Sequence, residues 1–177
     1  MSAITETYRD REGTPYQVRD ARPEDAAALV ALLDRVGREE IYIADESAQI
    51  SEAQQAEILR RLNPEVQLVL VLEQHHVIVG SLEMIRGTFR KNRHTAIFGM
   101  ALLPESRGHG LGEGLLRTAE RWAQDAGVMK ISLAVFSSNR AAIRLYQRLG
   151  YQEEGRRLRQ YLIAGKWVDE IWMARWL

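Results

Sequence analysis

The segment Pro104-Glu105-Ser106-Arg107-Gly108-His109-Gly110-Leu111-Gly112-Glu113-Gly114 decides the fold through what stands on either side of it. Before it, Thr95 to Leu102 is an aliphatic run of strand length, closed by Pro104. After it, Leu111, Leu115, Ala119, Trp122 and Ala126 recur at helical intervals, which predicts an amphipathic helix over Gly110 to Gln124 with Gly127 as its stop. A glycine cluster therefore occupies a strand-to-helix turn. The opening of a helix leaves its first backbone N–H groups unpaired and carries roughly half a positive charge, so glycines there let a diphosphate approach the bare main chain. Arg107 would add a charge-assisted contact. A nucleotide-linked diphosphate is the ligand that suits such a turn.

Downstream, Ile131 to Phe136 reads as a buried strand, and Ala142, Leu145, Tyr146 and Leu149 form one face of a further helix that Gly150 ends. Two final strands fit Tyr151 to Ile163 and Val168 to Trp176, joined at Ala164-Gly165-Lys166. Upstream, Val66 to Leu72 and Val77 to Ile85 are β-branched-rich runs separated by Glu73-Gln74-His75-His76, a hairpin signal. Ser51 with Gln54 makes a capping box for a helix carrying Ile58, Leu59 and Leu62, which Asn63-Pro64 stops. Tyr16, Val18 and the punctuation Arg22-Pro23-Glu24-Asp25 suggest a short strand turning into a helix with Ala26, Leu29, Val30 and Leu33, ended by Gly37. Glu39 to Ile50 shows no clear period and reads as a loop or broken helix. Residues 1–14 are polar and read as a flexible N-terminal leader, leaving 15–177 as a single domain. The order of these elements predicts an α/β chain with a mixed, mostly antiparallel twisted sheet of about seven strands flanked by about four helices.

Composition narrows the function. In 177 residues, 24 Lys plus Arg balance 24 Asp plus Glu, so the net charge is zero and general polyanion binding is disfavoured; no nucleic-acid partner is expected. There is no cysteine, which excludes disulfides and thiolate zinc sites. A chain of this size buries roughly 70% of its unfolded surface and needs neither to hold a core. Leu68 to Leu72 is the longest unbroken aliphatic run, far short of the roughly 20 residues of a membrane span, and Met1 to Asp10 lacks a signal peptide's apolar stretch. No membrane partner is expected, and the cytoplasm is the default compartment. His75 and His76 sit in a turn without a second ligand at helical spacing, so no metal is assigned.

Two common phosphate motifs fail on the glycine cluster. A Gly-x-Gly-x-x-Gly fingerprint meets Glu113 in one register and Leu115 in the other, and no Gly-Lys-Ser or Gly-Lys-Thr follows. What remains, Arg-x-x-Gly-x-Gly across Arg107, Gly110 and Gly112, resembles the pattern by which GNAT acyltransferases bind acetyl-CoA. Asn139, Ala142, Tyr146, Leu149, Gly150 and Tyr151 look like that family's second segment, and Val168 to Met173 is similar to its closing strand. The resemblance runs from about Tyr16 to Trp176. It implies the GNAT fold, in which two central parallel strands splay apart and the pantetheine arm lies in the gap. By resemblance, Gly99 to Leu102 belongs to the strand that bonds this arm, with Met100, Ala101 and Leu102 at the cofactor and Met100 and Leu102 offering backbone groups. Arg107, Gly108, His109, Gly110, Leu111 and Gly112 would take the diphosphate, and Asn139, Ala142 and Tyr146 complete the cofactor-binding set.

The implied activity is N-acetyltransfer from acetyl-CoA to a primary amine of a small molecule or peptide, by direct attack in a ternary complex. Tyr146 stands where family members often place the general acid for the departing thiolate. As a fourth member of the Ala142, Leu145 and Leu149 face, it also reads as a core aromatic. Ile97 to Leu102 carry no carboxylate where many relatives have a Glu, so Glu83 on the neighbouring strand, His94 at the strand mouth, or a water chain must take the amine proton. Arg140, Arg144 and Arg148 form a basic helix stripe that reads as a solvated face, or, in the functional alternative, as one whose start near Asn139, at Arg140, attracts the adenosine phosphates. Glu39, Glu40, Asp45 and Glu46 could draw a cationic acceptor, with Tyr42 and Trp167 as apolar walls. A catalytically idle acyl-CoA-binding module is the alternative; it would need the glycine loop but not Tyr146. Family habit implies a homodimer, to which Trp167, Trp172 and Trp176 near the C-terminus could contribute.

Overall fold

The computed structural model describes residues 3–42 and 50–177. Eight strands form one sheet: β1 (Thr5–Arg9), β2 (Pro15–Asp20), β3 (Gln67–Gln74), β4 (Val77–Arg86), β5 (Thr95–Leu102), β6 (Lys130–Phe136), β7 (Gln152–Ile163) and β8 (Lys166–Trp176). Their spatial order is β1-β2-β3-β4-β5-β6-β8-β7. Among the described residues four α-helices accompany them: α1 (Ala26–Gly37), α2 (Glu52–Arg60), α3 (Leu111–Asp125) and α4 (Arg140–Arg148). The expected α/β class and mixed sheet stand.

The described sheet has eight strands where about seven were expected, because Thr5–Arg9 is a strand rather than part of a loose leader. Thr5–Arg9 pairs antiparallel with β2, from Thr5 opposite Arg19 to Arg9 opposite Pro15. Its residues alternate between exposed and half-buried, and Tyr8 stacks on Tyr16 at 5.5 Å. A polar edge strand of this kind gets its conformation from a partner's main chain, which composition does not report.

Side-chain alternation divides the sheet into two faces. Leu68, Leu70, Leu72, Leu82, Met84, Ala96, Phe98, Ile131, Leu133, Ile171 and Met173 pack on one face, against the Leu111, Leu115, Leu116, Ala119 and Trp122 stripe of α3 and against Leu145 and Tyr146 of α4. Full burial of each such leucine is worth about 1.5–3 kcal/mol. On the other face Val69 and Val71 meet Ala26, Leu29 and Leu59, while Ala101 meets Leu32 and Val36. The two short N-terminal helices cover only the β3 to β5 side of that face. The Ser51–Gln54 capping box forms as expected, with the Ser51 side chain accepting from the Gln54 amide at 3.2 Å.

β5 and β6 are the sheet's one parallel pair, and they stay together for three positions only: Thr95 with Lys130, Ala96 with Ile131, Ile97 with Ser132. Beyond Ile97 each strand keeps its outer neighbour: β4 follows β5 up to Leu102 opposite Gly80, and β8 follows β6 up to Phe136 opposite Glu170. The sheet therefore opens between Phe98–Leu102 and Leu133–Phe136. These are the two splayed parallel strands.

Candidate active site

The opening carries a cleft of about 620 Å³ that passes through the sheet. Its lining includes Gly110, Gly112, Asn139, Ala142 and Tyr146 from the α3/α4 side and Val36, Tyr42, Phe136, Tyr161 and Glu170 from the opposite side. Both faces reach one space only because β5 and β6 have parted.

Main-chain polarity follows from strand alternation. The Leu103 amide bonds the Val79 carbonyl, so odd positions at this end of β5 turn to β4. The amides and carbonyls of Phe98, Met100 and Leu102 then face the gap, where β6 no longer supplies partners. Met100 presents backbone groups there. The Leu102 carbonyl is already engaged, accepting from Arg107 Nε at 2.9 Å and Nη2 at 2.8 Å. Ala101, expected with Met100 and Leu102, turns its main chain to Ser81 and contributes only a methyl.

The glycine loop enters α3 through two left-handed residues, Gly108 (φ 84°) and Gly110 (φ 89°), a conformation that a side chain would strain. Gly112 serves packing instead. A Cβ there would come within 3.2 Å of Leu145 Cδ2 and 3.4 Å of both Leu102 Cδ1 and Met100 Cε, so its absence lets α3 open close to both β5 and α4. Gly110, Leu111 and Gly112 line the cleft at the opening of α3, where the Glu113 amide donates to the Gly110 carbonyl at 3.1 Å and the helix start leaves the preceding amides without intrahelical acceptors.

Arg107 lines the cleft, but its guanidinium is committed. Besides the Leu102 carbonyl it binds both Glu39 oxygens, at 2.6 and 2.7 Å, and lies 4.3 Å above the Tyr42 ring. Burial works against its charge and the Glu39 carboxylate outweighs this, so its pKa lies above the ordinary arginine value. In this arrangement Arg107 is paired with Glu39 rather than left open for the diphosphate contact expected of it, and Glu39 is equally paired rather than open to an acceptor. Arg11 takes a place that the sequence did not mark. It arrives on the β1–β2 turn, donates from Nη1 to the Gly108 carbonyl at 2.9 Å, accompanies Gly110 and lines the cleft. A cation in a polar leader carries no local signal. His109 lies outside the cleft lining, with its ring 3.5 Å from Glu12 and its carbonyl bound by the Arg11 amide.

Asn139 caps α4, its side chain accepting from the Ala142 amide at 3.1 Å. Helical spacing then turns Ala142, Leu145 and Tyr146 toward the cleft. Arg144 and Arg148 line it and Arg140 does not, which corrects the expectation for the stripe. The Tyr146 ring is 6% exposed, packed edge-on against Phe98 with centroids 5.8 Å apart. Its hydroxyl makes no protein hydrogen bond among the described residues. Burial raises its pKa well above the ordinary tyrosine value, so it remains a proton donor throughout the physiological range.

The two candidates for the base separate. Glu83 stands opposite Gly99 of β5, one strand from the gap and on the face away from Tyr146. Its side chain is exposed, and desolvation by the surrounding protein still raises its carboxyl pKa. His94 precedes the closed end of the β5/β6 pair, where its carbonyl accepts from the Met129 and Lys130 amides. Eight residues of extended chain, about 26 Å, separate it from Leu102, so it is removed from consideration.

Opposite Glu83, across the gap, Glu170 is a buried carboxylate that the sequence did not single out. Tyr161 donates to Oε1 at 2.8 Å, Trp172 Nε1 donates to Oε2 at 2.8 Å, and Arg157 Nη1 forms an ion pair with Oε2 at 3.1 Å. Its legible signal was an acid flanked by Val168, Ile171 and Trp172 in a strand; its partners lie across a hairpin. Trp167, expected as an apolar wall, is 61% exposed and lies outside the cleft, whereas Tyr42 lines it. Glu40 is outside the cleft lining, and Asp45 and Glu46 fall outside the described residues.

A family model described as the acetyltransferase (GNAT) family matches residues 26–151. Among solved structures the chain is similar to the acetyltransferase of GNAT family from Streptococcus pneumoniae, with 28% identity and a TM-score of 0.86 over 92% of this chain and 99% of that one. It shares its fold with the ribosomal-protein-alanine N-acetyltransferase of Brucella melitensis, at 24% identity, TM-score 0.80, and 90% and 99% of the two chains. The same holds for a phosphinothricin acetyltransferase from Sinorhizobium meliloti in complex with AcCoA, at 20% identity, TM-score 0.80, and 100% and 89% coverage.

Proposed function

The chain belongs to the GNAT acetyltransferase family, and from that premise we propose that it moves the acetyl group of acetyl-CoA to a primary amine of a small molecule or peptide by direct attack in a ternary complex. The observation that carries this reading is the through-sheet cleft, which has a buried phenol at one side of the gap and the Glu170 carboxylate at the other. The groups on the α3/α4 side suit the thioester carrier: open main-chain groups at Met100 for an amide-bearing arm, glycine-bared amides at the start of α3 for a diphosphate, and Arg11, Arg144 and Arg148 for its charge.

Each step then asks for a stated atom. The amine nitrogen attacks the thioester carbon from the open face; a new N–C bond forms as charge gathers on the carbonyl oxygen, which a gap-facing β5 amide can stabilise. The C–S bond breaks, and the sulfur takes the proton of the Tyr146 hydroxyl. Glu83 accepts the proton lost by the amine, through a water, because it stands one strand back from the gap. Glu83 is available for this only above its raised pKa.

The test is an acceptor screen with acetyl-CoA that detects free CoA, paired with calorimetry of acetyl-CoA alone. We expect binding and amine-dependent CoA release. Binding without release from any amine would favour the idle acyl-CoA module, and no heat at millimolar acetyl-CoA would overturn both readings.

A further inference from the structure

We infer that Arg107 is a positioning residue for the acceptor side of the cleft: through Glu39 and Tyr42 it fixes the end of α1 against the free end of β5. The inference rests on the acetyltransferase reading and adds to it a role for a residue that the glycine pattern assigns to the carrier. An arginine side chain has five N–H donors in a rigid fork. In Arg107, Nε and Nη2 donate to the Leu102 carbonyl while Nη1 and Nη2 donate to the two Glu39 oxygens, so the fork joins two distant parts of the chain. The Tyr42 ring lies against one face of the guanidinium, its centroid 4.3 Å away. A planar group held on both edges and one face constrains geometry as well as charge.

Both ends of this bridge need holding. β5 has lost β6 beyond Ile97 and keeps only β4 as a neighbour, up to Leu102 opposite Gly80. α1 ends at Gly37; the Glu39 amide then bonds the Val36 carbonyl, the Glu40 amide bonds that of Gly37, and Glu40 itself is left-handed at φ 53°. A side-chain-bearing residue keeps that conformation where its surroundings impose it. Tyr42 packs with the Leu32, Val36 and Ala101 cluster, and Val36 and Tyr42 line the open side of the cleft. Glu39 stands between those two wall residues in the chain, so its bond to Arg107 sets where the wall stands relative to β5.

A second tie between the same elements supplies the contrast. Arg35 pairs with Glu105 at 2.7 Å, but these side chains are 55% and 54% exposed, against 26% and 23% for Arg107 and Glu39. A single exposed pair contributes little, whereas a half-buried, two-pronged one resists displacement. The glycine loop is not left without a cation by this arrangement, because Arg11 donates to the Gly108 carbonyl and lines the cleft.

The experiment uses full-length protein with Glu39→Gln, Arg107→Lys and, as the exposed control, Glu105→Gln. Glu39→Gln keeps the size of the side chain and breaks the ionic fork; Arg107→Lys keeps the charge beside the glycine loop and cannot span both partners. Each should lower kcat/KM for an acceptor amine by roughly 10- to 100-fold, chiefly through KM, the scale on which a displaced positioning group acts. Backbone hydrogen exchange over residues 36–42 should quicken in both, acetyl-CoA affinity should stay within about twofold in Glu39→Gln, and Glu105→Gln should match wild type. Should wild type bind an amine by ligand-observed NMR but release no CoA, the activity reading fails, and weaker binding of that amine by the two variants carries the assignment instead. An acceptor KM or amine affinity within about twofold of wild type in folded Glu39→Gln overturns it, whatever the exchange rates do. So does tighter acetyl-CoA binding by Glu39→Gln, which would make Glu39 a competitor that keeps Arg107 from the diphosphate. Loss of acetyl-CoA affinity in Arg107→Lys with the acceptor KM unchanged would return Arg107 to the carrier. A wild-type protein that neither binds nor acetylates any amine overturns both readings.

Discussion

On the α3/α4 side of the sheet the cleft is walled mainly by two short runs of chain, 98–112 and 139–148, and what they offer is chiefly main chain bared by glycine and alanine, with a single phenol and the guanidinium groups of Arg144 and Arg148. On the open side Tyr42, Phe136, Tyr161 and Glu170 come from four separate parts of the chain and offer side chains. The first arrangement binds a ligand through groups that every residue owns, so its chemistry is written in which side chains are missing. The second binds through side chains whose neighbours are set by pairing register. The difference teaches that the side of the cleft proposed for the carrier is a local motif, whereas the side proposed for the acceptor is a property of the folded sheet.

The comparison breaks most visibly at the phenol. Tyr146→Phe should lower kcat by about 10²- to 10⁴-fold, the usual scale of acid catalysis, with acetyl-CoA affinity unchanged by calorimetry. Unchanged turnover on a cognate amine would reduce Tyr146 to a core aromatic. Gly110→Val tests the bared main chain: a side chain at φ 89° costs about 1–3 kcal/mol and intrudes on the loop, so acetyl-CoA should bind at least tenfold more weakly. Wild-type affinity in that variant would mean that the diphosphate lies elsewhere.

Glu83→Gln addresses the transfer of the amine proton. Because desolvation raises the Glu83 pKa, its basic form is present above that value and disappears as pH falls through it, so wild-type kcat/KM should show an acid limb from this group. The variant should lose that limb and about tenfold of its activity at neutral pH. An identical pH profile in the variant would hand the proton to a water chain. The smallest effect belongs to the basic stripe. Arg144→Ala should raise the acetyl-CoA KM a few-fold at low salt and less at high salt, while Arg140→Ala, whose side chain is outside the cleft lining, should match wild type. The reverse order would restore the reading drawn from helix position alone.

Much of the fold was legible in the residues. Thr95–Leu102 is the strand its aliphatic run and Pro104 foretold, and Ser51 with Gln54 caps α2. Gly110, Gly112, Asn139 and Tyr146, which the family resemblance singled out, line one cleft because one turn and one helix place them. Arg107 shows where spacing stops: its position was right, and its guanidinium is engaged by Glu39, a residue 68 positions away.

Sequence alone determined the parts whose physics is local, namely the helical stripes, the left-handed glycines and the amides they expose, since those depend on dihedral freedom and periodicity within a few residues. Only the tertiary structure decided that β1 joins the sheet, that Arg11 reaches the glycine loop, that His94 lies at the wrong end of β5, and that Glu170 faces the gap with Tyr161. Those outcomes depend on which strands pair and in what register, and pairing is fixed by the balance of the whole core.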